Sequence, residues 1–367
     1  MTRDIVIAHG GDVSHPTGGT NRVTAFASGL AERGFEVTLV VPTPDRDLPE
    51  RLSAVEVSDV STPNASILDE PLRASLIVRR AKRLARESDA TVQLEHSTLA
   101  GIGQLWGLRD YVLDMHDLAH SSSRYGDLPL GGLVQRAIYG IESRAIEAAG
   151  DIVVVSENMR TLVAEEWDRD PRSISVIPNG YDGETVAPYR TDETVAGRVV
   201  FLGTLHPKLD AEAFFEIAAL PEVEELIVIG DGAKREALER GKRERDLDAL
   251  EVRGRLPDAE AFPLLARAAV AINPQTPSSL QKASSPVKIY YYAALGVPMV
   301  LSEGPSVADD LADESAAVVV SPEDAFGSAV QGVLRDEGQR STMKRNLTGF
   351  ADAFSWDGRV ESLAELY

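Results

Sequence analysis

The 367-residue chain contains no cysteine. That excludes a disulfide framework, a thiolate nucleophile and a zinc–thiolate site. Positive charge is scarce: 37 Lys and Arg stand against 58 Asp and Glu, a net charge of −21. A field of that sign repels nucleic acid over any broad surface. It also keeps a chain hydrated in a salt-rich cytoplasm, so a halophilic source is expected, with an ordinary acidic enzyme as the plainer reading. Long apolar runs are missing too. The most apolar stretch, Ile289 to Leu301, is broken by Gly296 and Pro298. It falls short of the roughly 20 residues that cross a bilayer. The opening MTRDIVIAHG sets an acid before a strand-like run, unlike a signal peptide. The expectation is a cytoplasmic protein, or one peripheral at the inner face of the cell membrane.

Apolar residues make up 43% of the chain, enough to bury two cores. Asp4–Ala8 reads as a buried strand, followed by a loop with Gly10, Gly11, Gly18 and Gly19. Thr20 to Arg33 carries Val23, Phe26, Ala27 and Leu30 at helical spacing, and Gly34 suits the position past a helix end. Val37–Val41, stopped by Pro42, completes a β-α-β unit. Further strand-like runs are Thr91–Glu95, Tyr111–Met115, Ile152–Ser156 and Ser175–Ile177. Pro178-Asn179-Gly180 is a turn signal, and Tyr181 to Gly197 reads as an irregular linker. The pattern then restarts with strands at Val199–Leu202, Leu226–Ile229, Ala269–Asn273 and Met299–Leu301, and a helix over Ala211 to Leu220. Two such series about a hinge near residue 180 predict an α/β chain of two doubly wound, Rossmann-like domains facing each other across a cleft. Ligands of open α/β sheets bind beyond the carboxyl ends of the strands. His9, Glu95, His96, His116, Gly203, Gly230 and Asn273 should therefore line the site.

Gly18-Gly19 opens a helix after the first strand, where backbone N–H groups favour a phosphate. The loop does not fit G-x-G-x-x-G, and no ribose-binding acid follows Val41, which argues against a nicotinamide-dependent oxidoreductase. An epimerase of the same architecture stays open. Five of the six histidines lie in the first half, three of them after strands. Their convergence on one edge points to polar contacts with substrate. His116 and His120 lack a carboxylate at diagnostic spacing, so no metal is expected. Lys208 and Lys288 are placed to neutralise a diphosphate, the latter aided by helix N–H groups near Ser285 and Val287. Leu72 to Arg86 carries six basic residues and no acid. Arg73, Arg79, Arg80, Lys82, Arg83 and Arg86 fall on one broad helix face, a candidate dock for anionic lipid head groups or, more plainly, a solvated surface.

Taken in order, TGGTNRVTAFASGLAERGFEVTLVVP, LDMHD, ESRAIEAAGDIVVVSENM, ISVIPNGYD, RVVFLGTLHPKLDAEAFFEIA, LIVIGDG, LEVRGRLPDAEAFPLLARAAVAINP and SSPVKIYYYAALGVPMV resemble a family 4 glycosyltransferase of GT-B architecture over nearly the whole length. FSWDGRVESLAELY is similar to that family's closing helix. The resemblance implies an acceptor-side domain over 1–180, a nucleotide-sugar domain over 181–350, and a helix over 351–367 crossing back to the first domain. It implies retaining transfer of a hexose from a nucleotide diphospho-sugar, without cofactor or metal. The basic helix motivates the expected acceptor class: a lipid, a lipid-linked glycan or another polysaccharide precursor. Gly18 and Gly19 would approach the donor phosphate or acceptor, and His116 would lie beside the transferred sugar. Lys208 would stabilise the leaving diphosphate. Arg255 and Leu256 would border the base, and Ser285, Val287 and Lys288 would cradle the phosphates. The family's two donor glutamates correspond to Ala283 and Tyr291 here, with Tyr291 at the ribose position, and Thr204 replaces a common basic residue. Those departures leave a second reading: a non-catalytic relative acting as a binding or partner subunit.

Overall fold

The computed structural model describes residues 4–15, 17–63, 69–121 and 130–367, with the side chains of 279–280 and 351–352 left aside. The chain divides into two units. The first holds residues up to Asn179 together with Trp356–Tyr367; the second is Gly180–Ser355.

The first unit is built on a seven-stranded sheet, in the order β3-β2-β1-β4-β5-β6-β7. Its strands are β1 (Asp4–Ala8), β2 (Glu36–Pro42), β3 (Glu56–Val60), β4 (Thr91–Glu95), β5 (Val112–Met115), β6 (Asp151–Val154) and β7 (Ile174–Val176). All neighbours are parallel. The central strands read as continuous apolar runs because helices cover both faces of a parallel sheet. The helix Gly18–Glu32 starts in a capping box. Thr17 Oγ1 accepts from Thr20 N at 3.2 Å, and Thr17 N donates to Thr20 Oγ1 at 2.7 Å. Past its end Gly34 takes φ +88°, a conformation that favours glycine. The helix Trp356–Ala364 packs on Gly18–Glu32: Trp356 meets Phe26 edge-on at 5.7 Å, and Val360 seats against Gly29.

The second unit has a six-stranded parallel sheet, in the order β10-β9-β8-β11-β12-β13. Its strands are β8 (Val195–Leu202), β9 (Glu225–Ile229), β10 (Leu250–Gly254), β11 (Ala268–Asn273), β12 (Met299–Ser302) and β13 (Val318–Val320). Two apolar clusters, one on each face, form its core.

The linker expected over Tyr181 to Gly197 is largely structured. Tyr181 is buried and its N–H donates to Phe354 O at 3.1 Å. Gly183–Val186 forms a helical turn, and β8 already begins at Val195. The polar composition misled because β8 starts half-exposed, where alternation rather than an apolar run is the signal. Strands β3, β10 and β13 lie outside the strand-like runs. Each sits at or next to a sheet edge and is short or rich in charge.

Candidate active site

Each sheet reverses its winding direction once, between β1 and β4 in the first unit and between β8 and β11 in the second. Such switch points open a crevice at the carboxyl ends of the strands. In the first unit a cavity of ≈ 400 Å³ lies there, walled by His9, Glu95, His96, His116, Asp117 and Arg73 among others. His9 follows β1, His96 follows β4 and His116 follows β5.

Behind the cavity wall the sheet carries buried charge. Arg22 donates to both oxygens of Asp114, at 2.7 and 2.9 Å, and stacks 4.4 Å over Phe26. Both charged side chains are fully buried. Burial alone would raise the Asp114 pKa, but the Arg22 and His116 cations outweigh it and hold it below the usual carboxylate range. His116 Nε2 lies 2.9 Å from Glu95 Oε2 and 3.6 Å from Asp114 Oδ2. Burial works against its proton, yet the two carboxylates win and raise its pKa to about 10. Glu95 is pushed up by burial and by Asp114. His9 goes the other way: burial, then the charges of His116 and His96, lower it to about 3. Among the described residues its buried Nδ1 has no partner, and the imidazole in the cavity wall is neutral. His96 adopts φ +87°, a strained value for a side-chain-bearing residue, and its Nε2 meets Asp117 at 2.9 Å. A Cβ on Gly19 would lie 3.5 Å from His116 Nδ1, so the helix start and His116 share the site.

In the second unit the switch point is occupied by Lys288. Its helix, Val287–Ala294, begins after Pro286 without a side-chain cap. Lys288 Nζ lies 3.3 Å from Asn273 Oδ1 at the end of β11 and 4.3 Å over the Phe201 ring of β8. Gly203, at φ +131°, makes room: a Cβ there would come within 2.8 Å of Lys288 Cε. Among the described residues no carboxylate pairs with Lys288, and burial lowers its pKa to about 7. Asn273 is fully buried, and among the described residues its Nδ2 has no partner. His206 is lowered by burial and then by the charges of Lys208 and Lys288. Ser285 Oγ bonds Tyr290 Oη at 2.7 Å, leaving the backbone at this helix start as the better donor. Tyr291 packs on Phe262 at 5.2 Å, and Leu256 rests on the same core. Ala283 is buried, and Arg255 is exposed after β10.

Residues 16–185 match the family described as Glycosyltransferase Family 4, and residues 196–336 match Glycosyl transferases group 1. The chain belongs to the family 4 glycosyltransferases. The fold of this glycosyltransferase is that of sucrose-phosphate synthase from Thermosynechococcus elongatus, with TM-score 0.81 and 18% identity over 100% of this chain and 98% of that one. WaaG, a glycosyltransferase involved in lipopolysaccharide biosynthesis, aligns with TM-score 0.73 and 15% identity, covering 99% of each chain. HepE from Anabaena, in complex with UDP and glucose, gives 0.74 and 15%, over 99% and 98%. These are GT-B glycosyltransferases. No curated protein sequence matches the chain.

The basic helix of this glycosyltransferase, Glu70–Ser88, does not present its six cations as one free face. Arg73 is half-buried in the cavity wall, 3.7 Å from Glu70. Arg80 donates to Ser58 Oγ at 2.7 Å, and Lys82 to the Trp106 carbonyl. Arg79, Arg83 and Arg86 remain exposed. Periodicity gave the helix its stripe but could not show that the neighbouring strand and helix reach two of those cations and that a third turns into the cavity wall. The Glu95–Asp114–His116 trio, with side-chain atoms within 4.8 Å, has no signature in sequence spacing, because its carboxylates come from two strands. Both Asp114 oxygens are held by Arg22, so a cation there would have to displace a guanidinium.

Proposed function

We propose that this glycosyltransferase moves a hexose from a nucleotide diphospho-sugar, with retention at the anomeric carbon, to a lipid, lipid-linked glycan or other polysaccharide-precursor acceptor. Lys288 carries the reading. A desolvated lysine with no carboxylate partner among the described residues, beside an Asn273 Nδ2 that lacks an acceptor there, is a seat for an anion. A nucleoside diphosphate fits: it would return the proton to Lys288, and the start of the Val287–Ala294 helix adds N–H donors. Stabilising charge on the leaving diphosphate is then the main catalytic contribution, shared with Lys208. Tyr291 replaces the ribose-binding carboxylate, so donor affinity depends on these phosphate contacts.

The cavity of the first unit suits an acceptor with hydroxyls. Its imidazoles and carboxylates offer both donors and acceptors, and the neutral His9 imidazole can accept a hydrogen bond from a hydroxyl. Membrane contact rests on Arg79, Arg83 and Arg86. Arg79 lies 4.9 Å over the Trp106 ring, and Leu105 and Trp106 are 67% and 43% exposed. Cations next to exposed apolar side chains suit an anionic lipid surface at the inner face of the cell membrane.

The test is a thermal-shift screen against UDP-, GDP- and ADP-sugars, run in dilute buffer and at molar salt because the net charge is −21. One donor should raise Tm in the wild type and not in Lys288→Met. No stabilisation by any donor at either salt would overturn the reading. NMR of the product's anomeric proton decides retention.

A further inference from the structure

We propose that Tyr367 is a positioning residue for His116, acting through Gln93 and Glu95. This rests on the reading of His116 as a site residue. It adds a part that lies more than 250 residues away along the chain, since Tyr367 and Gln93 are 274 positions apart.

The path is continuous and buried. Tyr367 follows the helix Trp356–Ala364 and is 6% exposed, its ring edge-on to Phe35 at 6.1 Å. Its hydroxyl donates to Gln93 Oε1. Gln93 and Glu95 are two residues apart on β4, so their side chains share one face of the sheet. Gln93 Nε2 donates to Glu95 Oε1 at 2.5 Å, and Glu95 Oε2 faces His116 Nε2 at 2.9 Å. Gln93 is fully buried and Glu95 is 1% exposed, so water does not substitute for a lost partner.

The amide has two possible orientations, and they imply different protonation. In the observed one, N–H points at Glu95, which must be an acceptor there. That favours the carboxylate, and hence a proton on His116 Nε2. With the amide reversed, its oxygen would face Glu95, which would then have to carry the proton. The Tyr367 hydroxyl would at the same time lose its acceptor in a buried site, which is costly. Burial and the nearby carboxylates of Glu95, Asp114 and Asp151 keep the phenol protonated, so it always has a hydrogen to place. Tyr367 therefore selects the orientation that holds His116 charged. The other groups around His116 are Asp114 with its Arg22, His9, and His96 with its Asp117.

The experiment is an NMR titration of the six imidazoles, with His116 assigned by the resonance absent in His116→Asn. It needs no donor or acceptor, so it stands apart from the transferase assay. Tyr367→Phe should lower the His116 midpoint by up to roughly one pH unit, the size of the neutral hydrogen bond that favours one amide orientation over the other. Gln93→Met should do the same, and the double variant should add nothing further. Val360→Ala loosens the same helix without touching the hydroxyl; it should lower Tm and leave the midpoint in place. An unmoved midpoint in folded Tyr367→Phe would overturn the proposal. So would an equal shift in Val360→Ala, or additive shifts in the double variant.

Discussion

Replacing Lys288 by methionine should stabilise the ligand-free protein while abolishing donor binding. The folded pKa is lowered to about 7 from 10.5 by burial. Between those values the unfolded chain binds more protons than the folded one, so stability rises with pH through that window. At about 1.4 kcal/mol per unit the full penalty at pH 7 is bounded near ~5 kcal/mol. Lys288 is half-buried rather than sealed, so remaining water reduces this to ~2–3 kcal/mol. Methionine keeps the length and the contact with the Phe201 ring, where a thioether packs well.

Urea denaturation of wild type and variant at pH 7, 8.5 and 10 measures the effect. The variant should lead by ~2–3 kcal/mol at pH 7, and the gap should close to under about 1 kcal/mol at pH 10. A saturating nucleoside diphosphate should reverse the order at pH 7, because only the wild type gains binding energy. A variant that is less stable at pH 7, or a gap without pH dependence, would refute the argument. Either result would mean that the lysine is solvated or paired and has no need of an anion. The expected outcome is a site that spends stability on function, as binding sites commonly do.

Three further outcomes follow from the first unit. His116 has a folded pKa raised from 6.5 to about 10, so its stabilisation is complete below about pH 6.5 and disappears as pH rises through 10. His116→Asn should therefore be less stable than wild type by an amount that shrinks between those limits; a pH-independent gap in denaturation midpoints would contradict the carboxylate pairing. Arg22→Met strands the buried Asp114 charge and should cost ~3–5 kcal/mol, with Asp114→Asn in the same chain recovering part of it. Recovery would be absent if the pair were not the source. Arg79, Arg83 and Arg86 changed together to glutamate should abolish sedimentation with anionic vesicles and leave Tm within a few degrees; unchanged sedimentation removes the membrane docking surface.

Both sheets were legible where physics is local. Apolar runs ending in His9, Glu95, Met115 or Asn273 marked strands, and the residues just past them marked the crevices, because parallel sheets place their loops there. Gly34 marked the end of the first helix for the same local reason, while its capped start at Thr17 lies ahead of the Thr20 that periodicity gave. The deeper part of the site was written in the sequence in another way. Gln93, Glu95 and Asp114 interrupt strands that are otherwise apolar on both faces, and Arg22 stands four residues before Phe26, on the helix stripe that faces the sheet. A buried polar group needs a partner, so four of them at core positions predict a network without naming its pairs. The pairing could not be read because it joins positions 22 to 114, 93 to 367 and 95 to 116. Lys288 shows the same boundary from the other unit. Its place at a helix start is local and was anticipated. Its burial on Phe201, which turns an ordinary lysine into one that needs an anion, depends on how that helix meets β8. The chemistry most specific to this chain thus lies in contacts between distant segments, and these are the contacts that the Lys288, Tyr367 and Arg22 variants break one at a time.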